Sequence, residues 1–244
     1  MHVIPVEKDE KIQAILPIRT FEDGKYLVMC TKNGIVKKSE LQLYKNLRKQ
    51  GLRAVELREG DELVNAVLAD DNQHFVVATH DGQTLRFDGD AVRSVGRTSI
   101  GVIAIKPREG DYVVSFDVCD EGDTLLFVSE NGFGKRTTAE EFTAHGRGGK
   151  GMRGYNVTEK TGGLCKMLVV KETDDLMLIN LSGTVIRIRV SDISVCGRTA
   201  MGVRLMRASA ENPIISCTKM AHVDDEEETA VPDEVENAGE TAET

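Results

Sequence analysis

No tryptophan occurs in the 244 residues, and other aromatics are few: seven Phe and four Tyr. A buried core must therefore be aliphatic, and at 40% hydrophobic content the chain can supply one. Proline is sparse too, five residues against 23 glycines, a balance suited to many tight turns. No apolar run approaches the roughly 20 residues that a membrane helix needs. No secretory leader precedes the first charges, so the cytoplasm is the expected compartment. The five cysteines (Cys30, Cys119, Cys165, Cys196, Cys217) are odd in number and show no CxxC spacing. Each lies in or beside an apolar run, which predicts small buried hydrophobes in a reducing compartment rather than disulfides or metal ligands.

Catalytic patterns are lacking as well. The five histidines (His2, His74, His80, His145, His222) have no metal-ligand spacing, and there is no GxSxG. His145 to Gly154 contains a formal GxGxxG, but strands rather than a long helix are expected after it, which excludes a dinucleotide loop. Gly151 is followed by Met152, so it is not a phosphate-binding Walker loop either. The segment reads as a flexible basic loop, cationic through Arg147, Lys150 and Arg153. No metal, cofactor, small-molecule substrate or catalytic residue is expected.

Basic residues are absent from one region altogether. Val223 to Thr244 holds ten acidic residues and no Lys or Arg, and it accounts for the net charge of -9. The remainder has 31 basic and 30 acidic residues and is almost neutral. Residues 223–244 are too acidic and too poor in apolar side chains to fold, and read as a disordered tail. Any polyanion binding must come from cations gathered on one surface.

What the sequence does have is a repeat. Asn33-Gly34, Asp81-Gly82, Asn131-Gly132 and Ser182-Gly183 are tight-turn signals whose glycines stand 48, 50 and 51 residues apart. Apolar runs precede each turn: Tyr26 to Cys30, Phe75 to Ala78, Leu125 to Val128 and Leu176 to Ile179, the pattern of strands buried on both faces. Val185 to Val190 alternates, which puts Ile186, Ile188 and Val190 on one face and Arg187 and Arg189 on the other. A second glycine recurs at Gly51, Gly101, Gly151 and Gly202, and a polar turn opens the next strand at Glu59-Gly60-Asp61, Glu109-Gly110-Asp111, Thr161-Gly162-Gly163 and Glu211-Asn212-Pro213. Ten residues after each turn glycine the side chain is apolar: Tyr44, Val92, Phe142 and Ile193. A short helical turn fits Ser39 to Arg48.

These anchors predict an all-β, propeller-like fold of four blades, each of about 50 residues and four strands, because an isolated blade leaves its faces wet and a neighbour buries them. The blades are expected over 12–62, 63–112, 113–163 and 164–213, with partial repeats at 1–11 and 214–222.

Cations keep phase with the repeat. Lys38, Arg86, Arg136 and Arg187 stand four residues after the turn glycines, with Lys37 and Lys135 one residue earlier. Arg97, Arg147 and Arg198 stand four before the second glycines, where the first copy has Leu47 beside Arg48 and Lys49. Equivalent positions on a radial array fall on a common rim, and cations beside glycines suit phosphate oxygens. Solvated strand ends, or a protein-binding scaffold, are the alternatives on pattern alone.

Glu22-Asp23-Gly24, Thr31 to Lys38, Asn131 to Thr137 and Val190 to Arg198 resemble the C-terminal domain of the bacterial gyrase A protein, a DNA topoisomerase component, and the likeness runs to about His222. The resemblance implies a β-pinwheel whose blades exchange strands and whose charged perimeter wraps duplex DNA. It implies a chain that is not catalytic by itself. As part of an ATP-hydrolysing type IIA topoisomerase, with the rest of the gyrase A protein and with its gyrase B partner, it would support negative supercoiling in the nucleoid. By position it implies phosphate contacts at Lys38, Arg86, Arg97, Lys135, Arg136, Arg147, Lys150, Arg187 and Arg198. The related topoisomerase IV protein shares the repeat. The family usually has six blades and carries its Gln-basic-Arg-Gly-Gly-basic-Gly box in the first; here only His145 to Gly151, in the third copy, resembles it. None of Tyr26, Tyr44, Tyr112 or Tyr155 lies in a motif like the family's DNA-cleaving tyrosine.

Overall fold

A computed structural model describes residues 10–46 and 51–222. The acidic tail, Arg48, Lys49 and most of the leading partial repeat lie outside the described residues.

The local unit is a β-hairpin. β1 (Lys25–Thr31) and β2 (Ile35–Glu40) pair antiparallel. Gly34 turns the chain with φ +82°, a conformation that side chains with a Cβ resist. The turn is closed by Thr31, whose Oγ1 accepts the Ile35 N–H at 3.2 Å. The same device recurs between β4 (His74–Thr79) and β5 (Gln83–Asp88), between β8 (Thr124–Ser129) and β9 (Phe133–Thr138), and between β12 (Asp174–Asn180) and β13 (Val185–Arg189). There the acceptors are the side-chain oxygens of Thr79, Ser129 and Asn180. A 3-10 turn follows each hairpin, at Leu41–Tyr44, Gly89–Ala91, Ala139–Glu141 and Val190–Asp192. The sequence suggested only the first. The apolar residue expected ten positions past each turn glycine is buried in all four copies.

A third strand joins each hairpin on its first strand: β3 (Leu63–Asp70) on β1, β7 (Val113–Cys119) on β4, β11 (Leu164–Val170) on β8 and β15 (Ile214–Ala221) on β12. These third strands pack against one another in order, β3 on β7, β7 on β11 and β11 on β15, and so form the inner wall. The opposite edge of the first three sheets is covered by a two-residue strand: β6 (Val102–Ile103) on β2, β10 (Met152–Arg153) on β5 and β14 (Val203–Arg204) on β9. Each of these comes from beyond the following hairpin, so neighbouring blades are interlocked. The fourth sheet has three strands among the described residues, in the order β13-β12-β15. The all-β propeller expected from the repeat is the observed architecture, with a fourth strand in three of its four blades.

The core lies between blades rather than within them. Val28, Val36 and Val67 of the first sheet meet Phe75, Phe87 and Phe116 of the second. Phe127, Phe142 and Leu164 pack with Val76 and Ala78, and Leu176, Leu178 and Ile193 with Leu126 and Val128. Phe75 sits edge-on to Phe87 and Phe116, with centroids 5.8 and 5.5 Å apart. Burying each such side chain is worth about 1.5–3 kcal/mol, and none of that is available to a single blade. All five cysteines are free thiols, three buried and two half-buried. Burial pushes Cys119 up to about 12 and Cys165 to about 11, and raises Cys30 and Cys217 as well. Among the described residues no helix is long and apolar enough to cross a membrane.

Candidate nucleic-acid interface

The cations singled out above that fall within the described residues divide into two groups. One group faces inward. Lys38, Arg86 and Arg136 lie on β2, β5 and β9, two residues past the ends of those strands that the exchanged strands cover, and are buried. Lys38 Nζ is 3.0 Å from Asp71 and lies over the Tyr26 ring. Arg86 donates to the Ala139 carbonyl at 3.0 Å. Arg136 donates to the Ile193 carbonyl at 2.6 Å and pairs with Glu172 at 3.1 Å. Ala139 opens the 3-10 turn of the next blade and Ile193 directly follows the corresponding turn, so these guanidinium groups staple one blade to another.

Lys37 and Lys135 are buried more completely, 1% and 0% exposed. Lys37 donates to the carbonyls of Ala54 and Arg97. Lys135 donates to those of Gly197, at 2.8 Å, and Arg198. Desolvation lowers both ammonium groups to about 8. These two lysines hold from below the loops that carry Arg97 and Arg198.

The second group faces outward. Arg147, Lys150, Arg153 and Arg187 are exposed, and Arg97 and Arg198 are half-buried. Arg147 is exposed yet anchored: its Nε donates to the Ala91 carbonyl at 2.9 Å and its Nη1 to that of Ile103 at 3.2 Å. The loop around it was expected to be flexible. It is instead tied to the blade before it, where Gly148 donates to the Ala104 carbonyl and Lys106 to that of Gly149. Arg198 lies 3.8 Å from Glu141. Arg187 pairs with the buried carboxylate of Asp175, which also receives His222 at 2.9 Å.

Among the exposed cations that the sequence reading did not single out, two keep phase with Arg153. Arg53 and Arg204 are exposed and, like Arg153, stand two residues after a second glycine. Arg153 and Arg204 are the last residues of the outermost strands β10 and β14. The signal was available as a phase: Gly51-Leu52-Arg53, Gly151-Met152-Arg153 and Gly202-Val203-Arg204, with Ile103 breaking the series. Arg97, Arg147, Lys150, Arg153, Arg198 and Arg204 thus lie on the outer strands and the loops that lead into them, at the end of three of the sheets farthest from the inner wall, and Arg53 lies on a loop at the same phase.

The family model described as DNA gyrase C-terminal domain, beta-propeller, matches four successive segments, residues 25–70, 73–120, 123–171 and 174–217. Among curated proteins, the DNA gyrase A protein of Helicobacter pylori is 42% identical over 223 residues, which cover 90% of this chain and 27% of that protein. The chain therefore spans about a quarter of the length of the curated relatives it matches. Among solved structures, the C-terminal domain of DNA topoisomerase IV superposes with a TM-score of 0.82 at 29% identity, covering 90% of this chain and 69% of that one. The DNA gyrase A C-terminal domain gives 0.79 at 25% identity, with coverage of 89% and 73%.

Proposed function

Because the chain belongs to the family of DNA gyrase C-terminal β-propeller domains, we propose that it binds duplex DNA along its outer perimeter and bends it around the blades. One observation carries this reading: Arg153 and Arg204 end the outermost strands of two neighbouring blades, and Arg53, at the same phase of the repeat, is exposed as well. A row of cations at regular intervals on a convex edge matches a backbone of regularly spaced phosphates, and it contacts no base edge. Affinity then depends on charge and on how easily the DNA bends, not on its sequence.

The inward cations take a different part. Lys37, Lys38, Arg86, Lys135 and Arg136 keep the blades and rim loops in register, and the exposed cations meet the phosphates. The domain would act within a gyrase holoenzyme, with the rest of the gyrase A protein and with gyrase B, wrapping DNA so that strand passage introduces negative supercoils. It would contribute no catalytic group itself.

The test is twofold. Fluorescence anisotropy of a labelled duplex, titrated over salt, should show tight binding that weakens steeply as salt rises. Closing nicked circular plasmid in the presence of the chain should shift the linking number of the product, as wrapping requires. Salt-tolerant capture of a protein together with no duplex binding at low salt would replace this reading with that of a protein-binding scaffold. Binding without a linking-number shift would leave contact but remove wrapping.

A further inference from the structure

One backbone pattern recurs at the turn end of the inner wall. The residue two before each turn glycine donates its N–H to the residue that precedes the third strand of its own sheet: Lys32 to Glu62 and His80 to Tyr112 at 2.8 Å, Glu130 to Gly163 and Leu181 to Pro213 at 2.9 Å. Its carbonyl accepts the first N–H of the next third strand, Lys32 from Val113, His80 from Leu164 and Glu130 from Ile214. Backbone bonds of one kind thus join neighbouring blades at all three junctions. The side chains at these points differ, and they make the middle junction unlike the other two.

There His80 reaches from the second blade into the third. Its ring stacks on Tyr112, with centroids 4.9 Å apart and planes 17° from parallel. Its Nε2 lies 3.3 Å from the Glu130 carboxylate and its Nδ1 3.5 Å from that of Asp81. The second Glu130 oxygen accepts the Gly163 N–H at 3.0 Å. Gly163 is buried and is not one of the glycines with positive φ, so its backbone does not call for glycine. Space does: a Cβ built on Gly163 would fall against the His80 ring. Ring and glycine are a matched pair, one filling the room the other leaves. Along the same junction Ser115 Oγ accepts the Met167 N–H at 2.8 Å, and Asp117 Oδ2 that of Val169 at 3.4 Å. At the first junction the place of His80 is taken by Lys32, whose Nζ lies over the Tyr112 ring at 5.1 Å.

We propose that His80 is a positioning residue for DNA wrapping: seated against Gly163 and Glu130, its ring fixes the angle between the second and third blades, and so the spacing of the cations they carry. The inference rests on the DNA reading above. The outer edge of the second sheet bears Arg153 on β10, with Arg147 and Lys150 in the loop before it. That of the third bears Arg204 on β14, with Arg198 in the loop before it. The two sheets share no strand ladder, so side chains packed between them set their angle. The rim lies farther from the inner wall than any other part of the sheet, so a small change of angle at His80 becomes a larger displacement of the arginines. A duplex resists bending, and the spacing of those arginines decides how far it follows the edge. The second and third blades each have a neighbour on both sides.

Variants of the 244-residue chain test this. His80→Ala empties the niche, Gly163→Ala puts a methyl where the ring lies, and in the double variant the methyl takes up room the ring has left. Leu181→Ala, at the equivalent point of the fourth hairpin, is the control. The readout is the linking-number shift per bound chain, from nicked plasmid closed at saturating protein and below each melting temperature. His80→Ala should lower the shift by about one third, since one of three junctions no longer holds its angle, and Gly163→Ala by as much or more. The double variant should recover toward the wild-type shift, and Leu181→Ala should match it. Affinity for a short duplex should stay within about twofold of wild type throughout, because no rim cation is changed; a larger loss would make His80 part of binding rather than positioning and overturn the proposal. A role in stability alone would lower melting temperatures and leave the shift at saturation intact, which also overturns it, as does a double variant no better than the worse single one. Should Gly163→Ala fail to fold, His80→Ala against Leu181→Ala decides. A wild-type chain that gives no shift overturns the wrapping reading and this inference with it, whereas a wild-type shift that His80→Ala leaves intact overturns this inference alone.

Discussion

Replacing Arg53, Arg153 and Arg204 together by Gln removes three positive charges from the outer margin while keeping side chains of similar reach. All three are exposed. Among the described residues the ring beneath them is Phe133, with the Arg204 guanidinium 5.0 Å from its centroid, so folding should lose about 1 kcal/mol or less. Each phosphate contact contributes about 0.9 to the slope of log K against log salt. If Arg53, Arg97, Arg147, Lys150, Arg153, Arg198 and Arg204 each meet one phosphate, the wild-type slope is about -6 and that of the triple variant about -4. Each lost contact costs roughly eightfold in affinity at about 0.1 M salt, so the triple variant binds roughly 500-fold more weakly. The assay is anisotropy of a labelled duplex, repeated across salt for two unrelated sequences, and the loss should be the same for both. Lys135→Met is the control, because its ammonium is buried on backbone carbonyls and, on the proposed reading, meets no phosphate. An unchanged slope in the triple variant, or an equal change in the control, would refute the assignment of the outward arginines as the DNA contacts.

Further outcomes follow from the packing. Desolvation holds Lys37 and Lys135 at about 8 against an ordinary 10.5. Below pH 8 both folded and unfolded chains carry these protons, and the cost of burying the charge is complete. From about 8 to 10.5 the folded chain releases them first, so stability should rise with pH and level off above 10.5. Lys135→Met should remove about half of that rise in urea unfolding, while its stability at about pH 7 stays within about 1 kcal/mol of wild type, as lost hydrogen bonds and relieved desolvation oppose. Gly132→Ala and Gly183→Ala share a φ of +83°, but only the first places a Cβ against a carbonyl, that of Met206 at 2.1 Å. Chemical denaturation should show about 1–2 kcal/mol for Gly183→Ala from the backbone and about 1–3 kcal/mol more for Gly132→Ala from overpacking. Asp175 has its pKa lowered by the His222 hydrogen bond and then by Arg187. Its contribution is complete above the ordinary carboxylate value of 3.8 and is lost as pH falls through the lower folded value. Asp175→Asn should flatten acid unfolding in that window, read by circular dichroism.

The hairpins and their phase were legible in the sequence because their causes are local. A tight turn with positive φ calls for glycine wherever it occurs, and Gly34, Gly82, Gly132 and Gly183 adopt one. Strands that will be covered on both faces are written as continuous apolar runs, and Phe75 to Ala78 and Leu125 to Val128 are buried throughout. Less legible was the Thr31, Thr79, Ser129 and Asn180 series that closes the turns, since each residue is unremarked until its bond is seen. The exchanged strands were not legible in the residue pattern, and only the family resemblance implied an exchange. Two residues are too few to show a period, and what defines β6, β10 and β14 is the edge they land on.

The same exchange decided what the cations do. Lys38, Arg86, Arg136 and Arg187 occupy one phase and were equivalent as sequence, yet the first three are buried and Arg187 is exposed. Their equivalence was the sequence's own doing, because a repeat places like residues at like points of each blade. Whether such a point faces DNA or another blade was decided by the tertiary structure. A charge goes where its neighbours leave water or supply a partner, and those neighbours come from a blade about 50 residues away.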